Sequence, residues 1–341
     1  MQKNYVNFIL LFVTTLISLV LAEFCFRTYK FIKYEQAISA SNHELFVFDR
    51  TKDYVLKMRP NTSRISKTFY GSNQYWKYKI NSYGFRGEPF DLNSHSFRVL
   101  FLGDSYTFGW AINDEDVHPR KVEEILKDRY KKDVSVFNLG VLGYSTITEE
   151  AVLRDWIDVL KPDLVILDYV MNDAEPPNYV PLSPKITYKD KLFWMFYFFF
   201  ESDRYERFLG YFGRKKSKGL DYLDGFKSKS WKWKASKGAI KNISTLCKER
   251  NVPLIIFILP DVTEKFGELY KLKPIHSAVS EWGAEFDVPT YDLLPYFYDK
   301  NHEEYWVPGE GHPNAKANKL FAEIMVEKII PFIKKPKINI M

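Results

Sequence analysis

The stretch that decides the fold reads RVLFLGDSYTFGW, residues 98–110. An apolar run from Val99 to Leu102 stops at Gly103-Asp104-Ser105, and an aromatic, glycine-containing segment follows. Apolar runs of this length read as buried parallel strands, and open α/β sheets place their chemistry at the carboxyl ends of such strands. Ser105 therefore stands where a nucleophile would. It also suits a helix N-cap, where serine is favoured, and Ser105, Thr107 and Gly109 would equally suit a loop that cradles an anion. The tripeptide alone leaves these readings open.

Working outward, strand-like runs recur at 97–103, 134–139, 163–170 and 252–259, with a weaker one at 289–293. Helix-like stretches lie between or after them, at 117–130, 146–160, 232–250, 264–286 and about 314–333. This alternation predicts an α/β fold, a three-layer α/β/α arrangement around a flavodoxin-like parallel sheet. Residues 34–96 are rich in turn formers, as in NSYGFRGEPF, and read as an irregular leader packing on the core domain of 97–335. An aromatic and then basic insertion, at about 185–225, falls after the third strand, where it could cap a site. A core helix with a solvated basic tail, or a surface dipping into lipid headgroups, are its other readings.

With 46% hydrophobic and 17% aromatic residues among 341, the chain can build a substantial core. The net charge of +6 is modest, and there is no long Lys/Arg run or zinc-finger spacing, which argues against nucleic acid as a partner. Cys25 and Cys247 are the only cysteines and predict no disulfide framework. The run YVNFILLFVTTLISLVLAEFCF, residues 5–26, carries a single charge at Glu23. About 20 apolar residues span a bilayer core, so residues 1–33 are expected to form an N-terminal transmembrane helix and its flank. A signal peptide cleaved after Val20-Leu21-Ala22 is the alternative. Lys3 precedes the run while Arg27, Lys30 and Lys33 follow it, a count that favours a cytoplasmic domain.

The ends of the other strands carry the chemistry. NLGVLGYST follows the second and offers the Gly143 N–H; YVMNDAEP follows the third and offers the Asn172 amide. VPGEGHPNAKANKLFAE, near the carboxyl terminus, places His312 before a helix with Glu310 two residues earlier. A serine needs a base to attack a carbonyl at neutral pH, and the base needs a third group to fix its tautomer. Ser105, His312 and Glu310 can fill these roles, with Asp292 in reserve as the acid. The N–H groups of Ser105 and Gly143 and the Asn172 amide can form an oxyanion hole. His43, His95, His118, His276 and His302 have no partner spacing that singles them out.

Gly103-Asp104-Ser105, Gly143, Asn172-Asp173 and His312-Pro313-Asn314 resemble, in order, the four blocks of the SGNH/GDSL hydrolases, over roughly residues 97–333. NSYGFRGEPF is similar to the leader of the membrane-anchored bacterial members. The resemblance implies a serine nucleophile at Ser105, a base at His312, the oxyanion hole just named, and a serine loop oriented by Asp104. Gly309 stands where the family's usual acid would, and Val170 replaces a glycine of the third block. The expected function is ester hydrolysis without metal or organic cofactor, as by an O-acetylesterase, on acyl groups of envelope or secreted glycans or lipids. An O-acyltransferase with the same triad, or an inactive anchored binding module, are the alternatives. The anchored relatives imply a single-pass protein with an extracytoplasmic catalytic domain.

Overall fold

The structure is a computed structural model that describes residues 46–48, 52–54, 56–67, 75–174, 222–223, 226 and 231–333, together with helical residues at 7–8, 10–15, 17–18 and 21–22. The chain divides into two units, residues 1–48 and 49–341. The first holds those helical residues and a short strand, β1 (Phe46–Phe48). Among the described residues no helix is long and apolar enough to cross a membrane. The span expected over 5–26 falls partly outside the described residues, as does nearly all of the insertion at about 185–225.

The second unit is built on five parallel strands. They are β5 (Phe97–Leu102), β6 (Val134–Asn138), β7 (Leu164–Tyr169), β8 (Leu254–Ile258) and β9 (Thr290–Asp292), in the spatial order β6-β5-β7-β8-β9. Leu100 of β5 lies opposite Phe137 of β6 and Val165 of β7. Every residue of β7 and β8 is buried, which is why these strands read as continuous apolar runs rather than alternating ones. Helices α2 (His118–Asp128) and α6 (Ala315–Ile329) pack together, as do α3 (Thr146–Leu160) and α4 (Trp231–Glu249). The chain leaves β5 for β6 on one side and returns to β7 on the other. That reversal makes the carboxyl ends of β5 and β7 the topological switch point, where open α/β sheets bind ligands.

One element is shorter than expected. The helix predicted over 264–286 starts only at Lys273 as α5 (Lys273–Glu285), with Pro274 in its first turn. Gly267 upstream has φ +107°, a left-handed conformation that keeps 264–272 out of the helix.

The described residues of the leader from Lys52 onward are part of this unit's core. After β2 (Leu56–Met58), strands β3 (Thr62–Lys67) and β4 (Tyr75–Ile80) pair antiparallel, and β4 alternates so that Trp76, Tyr78 and Ile80 point inward. Asn81 then accepts the N–H groups of Tyr83 and Phe85 on its side-chain oxygen. This turn throws Arg86 into the core, where its side chain is 2% exposed. Its guanidinium donates to the carbonyls of Phe108, Gly109 and Ile112, pairs with Asp114 at 2.6 Å, and lies over the rings of Trp76 and Phe108. Burial lowers the Arg86 pKa, and Asp114 opposes that shift. Arg86→Ala would strand three carbonyls without a donor. We expect it to cost about 3–5 kcal/mol, the usual cost of breaking a buried charge pair, read as a lower urea midpoint. Arg86→Lys, which cannot fork between carbonyls, should recover only part of the loss.

Candidate active site

Ser105 is the first residue of α1 (Ser105–Phe108), a single helical turn directly after β5. Asp104 caps this turn: its Oδ1 accepts the Tyr106 N–H at 2.8 Å. Gly103 and Gly140 allow the approach. A Cβ on Gly103 would lie 2.0 Å from Thr107 Oγ1, and one on Gly140 would lie 2.5 Å from the Phe108 nitrogen. Asn138, at the end of β6, donates to the Thr107 carbonyl at 2.8 Å. Gly109 ends the turn with φ +83°.

His312 arrives on a loop that folds back on itself. Val307 N–H donates to the His312 carbonyl, and Glu310 N–H to the Val307 carbonyl. Gly309 and Gly311 are both left-handed, with φ +84° and +69°, and this turns the Glu310 carbonyl toward the imidazole. The carbonyl lies 2.7 Å from Nδ1 and can only accept, so Nδ1 carries the proton. Nε2 is then a bare acceptor, 3.0 Å from Ser105 Oγ. The arrangement can take the hydroxyl proton as oxygen attacks a carbonyl. Ser105 Oγ also lies 3.3 Å from Asp104 Oδ2, so its hydrogen has two acceptors, the imidazole being nearer.

Glu310 reaches the imidazole by its main chain, which corrects the carboxylate contact expected from the sequence. The Glu310 carboxylate instead accepts the Trp110 indole N–H at 3.0 Å. Asp292, the reserve acid, is occupied elsewhere, 2.7 Å from His276 Nδ1. Asn172 lies in the turn after β7 and donates Nδ2 to Asp104 Oδ2 at 3.0 Å, leaving that nitrogen a second hydrogen. Gly143, with φ +76°, lies on the loop between β6 and α3. That loop is tied to the Asn172 turn because the N–H and hydroxyl of Thr146 both donate to the Asp173 carbonyl.

The electrostatics follow burial. Burial pushes the His312 pKa below the ordinary 6.5, against the Glu310 carbonyl and the charges of Asp104, Glu310 and Asp261. Burial raises Asp104, and it raises Glu149 and Asp173 well above the usual carboxyl range. Asp261, just beyond β8, was missed in the sequence although it follows a strand end like the others. It is 6% exposed, held by the Thr263 N–H and hydroxyl. Cys247 is a packing residue, its thiol pushed up to about 12 by burial. Among the described residues no group of three or more His, Cys, Asp or Glu side chains could hold a metal.

A sequence model of the GDSL-like Lipase/Acylhydrolase family matches residues 101–320, which include Ser105, Gly143, Asn172 and His312. The chain belongs to this family. As a GDSL/SGNH hydrolase it is a serine ester hydrolase. The psychrotrophic esterase EstA from Pseudoalteromonas sp., in a structure inhibited by monoethylphosphonate, is similar at 14% identity and TM-score 0.45, over 70% of this chain and all of that one. The lipase/acylhydrolase from Enterococcus faecalis is similar at 17% identity and TM-score 0.43, over 70% of this chain and 98% of that one. No curated protein matches the chain.

A base must be unprotonated to accept the serine proton, and burial makes the His312 imidazolium unfavourable. The acid limb of kcat/KM for an aryl acetate should therefore have its midpoint below pH 6.5, the ordinary histidine value. Glu310→Gln removes one of the charges that raise His312, so it should move this limb to lower pH, and it should lose less than about tenfold in kcat, short of the ~10²–10⁴ that general base catalysis is worth. A larger loss would mean that the carboxylate, not the carbonyl, orients the ring.

Proposed function

We propose that Ser105 is the nucleophile and His312 the base of an esterase that removes acyl groups from envelope or secreted glycans or lipids. The observation that carries this reading is the Ser105 Oγ–His312 Nε2 contact of 3.0 Å, with Nδ1 fixed by a carbonyl. Ser105 Oγ attacks the ester carbonyl while its proton passes to Nε2. The Ser105 and Gly143 N–H groups and the Asn172 amide hydrogen-bond the oxyanion. The tetrahedral intermediate expels the alcohol, which takes the proton from Nε2 and leaves an acyl-serine. Water then loses a proton to His312 and attacks the acyl-serine, and collapse of the second tetrahedral intermediate returns that proton from Nε2 to Ser105 Oγ and frees the carboxylic acid. Asp104 positions the serine turn and the Asn172 amide together.

Ser105→Ala should fold normally and lower turnover of a short-chain aryl acetate at least ~10³-fold, since members of such a unit act together. A fluorophosphonate should label wild type and not this variant. Unchanged turnover in purified Ser105→Ala protein would remove Ser105 from the mechanism.

The same proposal places the enzyme at a membrane by the apolar run of residues 5–26, with a short cytoplasmic amino terminus and the catalytic unit outside. Translocation despite Arg27, Lys30 and Lys33 is admissible because long domains cross largely regardless of flanking charge. An alkaline phosphatase fused after Met341 should be active in intact cells. A silent phosphatase beside a glowing green fluorescent protein fusion would place the domain in the cytoplasm and remove envelope polymers as substrates.

A further inference from the structure

His118, set aside in the sequence, is completely buried beneath the site against Asp168, with both side chains 0% exposed. Four side chains meet there. His118 Nε2 lies 2.7 Å from Asp168 Oδ2, Thr107 Oγ1 donates to the same oxygen at 2.8 Å, and His118 Nδ1 lies 2.9 Å from Asn318 Oδ1. The rings of Phe101 and Phe321 stand edge-on to the imidazole, each 5.9 Å away between centroids.

Hydrogen-bond valence fixes the proton count. Asn318 Nδ2 faces the carbonyls of Pro313 and Asn314, at 3.2 and 3.0 Å, and its Oδ1 accepts the His118 main-chain N–H. Carbonyls only accept and N–H groups only donate, so the amide can have just this orientation. His118 Nδ1 must then donate to Asn318 Oδ1. Nε2 and Asp168 Oδ2 must share one proton, because two lone pairs facing each other in the core would repel. Whichever atom holds that proton, the pair is neutral as a whole.

We propose that Thr107, Asp168, His118 and Asn318 are positioning residues that hold Ser105 and His312 in register through the core. Thr107 is two residues from Ser105 on α1, and Pro313 and Asn314 directly follow His312. The chain of hydrogen bonds therefore joins the nucleophile's turn to the base's loop from below, while Ser105 Oγ and His312 Nε2 meet above. Asp168 belongs to β7, four residues before Asn172, so the amide donor is tied to the same anchor. Apolar side chains could fill this volume at lower desolvation cost, so stability alone does not explain a buried ionisable pair. Directional bonds between four separate elements do, since they fix geometry as well as contact. The inference rests on the assignment of Ser105 and His312 above.

The test compares Thr107→Val, Asp168→Ala and Asp168→Asn with wild type in the full chain. It measures fluorophosphonate labelling rate, steady-state kinetics on an aryl acetate, and thermal unfolding as a control. Thr107→Val keeps the volume and removes one donor. It should lower kcat and labelling rate about tenfold with KM within about twofold, part of the ~10²-fold that a 1 Å misplacement can cost. Asp168→Ala should lose at least as much. Asp168→Asn should recover most of the loss, because its amide can donate to a neutral His118 Nε2 and to Thr107 Oγ1. If Asp168→Ala fails to fold, the two volume-conserving variants carry the test. Wild-type rates in folded Thr107→Val, a loss confined to KM, or Asp168→Asn as impaired as Asp168→Ala would each overturn the proposal. Failure of wild type itself to label would instead overturn the reading of Ser105.

Discussion

The site depends on holding one helical turn still. Four residues cannot sustain a helix by themselves, because fixing a first turn costs more backbone entropy than its hydrogen bonds return. The turn Ser105–Phe108 is held from outside along its length. Asp104 caps its start, Asn138 takes the Thr107 carbonyl, Asp168 takes the Thr107 hydroxyl, and Arg86 takes the carbonyls of Phe108 and Gly109. Two of these holders come from β6 and β7, the strands that flank β5. Sheet order thus has a chemical consequence: the neighbours of the central strand grip the turn that follows it.

That grip concentrates polar groups where burial is expensive. Arg86, Asp104, His118, Glu149, Asp168 and Asp173 are all buried. Oxygens of Glu149, and one each of Asp168 and Asp173, make no hydrogen bond among the described residues. Desolvation raises Glu149 and Asp173 and so favours their neutral forms. Proteins commonly break the rules of economical core packing near functional sites, offsetting the cost elsewhere. Here the offset comes from the sheet, whose β7 and β8 are buried along their whole length.

The central strands were legible because two-sided burial leaves an apolar run, and Ser105 and Asn172 because each follows such a run, whereas His312 showed itself by its place before the last helix. What escaped the sequence is what main chain and distance decide. The partner of His312 is a carbonyl, and a reading by side chains looks only for a carboxylate; the signal was the pair of glycines around Glu310, whose left-handed backbone aims that carbonyl. His118 and Asn318 sit on separate helices, α2 and α6, that meet only once the fold has formed. Arg86 looked like part of a turn-rich leader, because nothing local says that a turn at Asn81 points its successor inward. The helix expected from 264 overran its true start because periodicity continued through a glycine that the backbone uses as a stop.

A carbonyl partner changes how the base is supported. In the proposed cycle His312 becomes an imidazolium, and burial opposes that charge. A carbonyl aims the ring and selects the tautomer, but it brings a dipole where a carboxylate would bring a full charge. The compensating charge must come from elsewhere. Asp104, Glu310 and Asp261 each raise the proton affinity of His312 without sharing its Nδ1 proton. Orientation and charge compensation, which one aspartate supplies in a conventional triad, are here divided between a main-chain oxygen and surrounding carboxylates. The division explains how a chain with glycine at the usual acid position can still keep a histidine poised against Ser105. It also places tolerance to substitution unevenly: one of several carboxylates can be neutralised and leave the others, whereas the turn around Gly309 and Gly311 has no substitute.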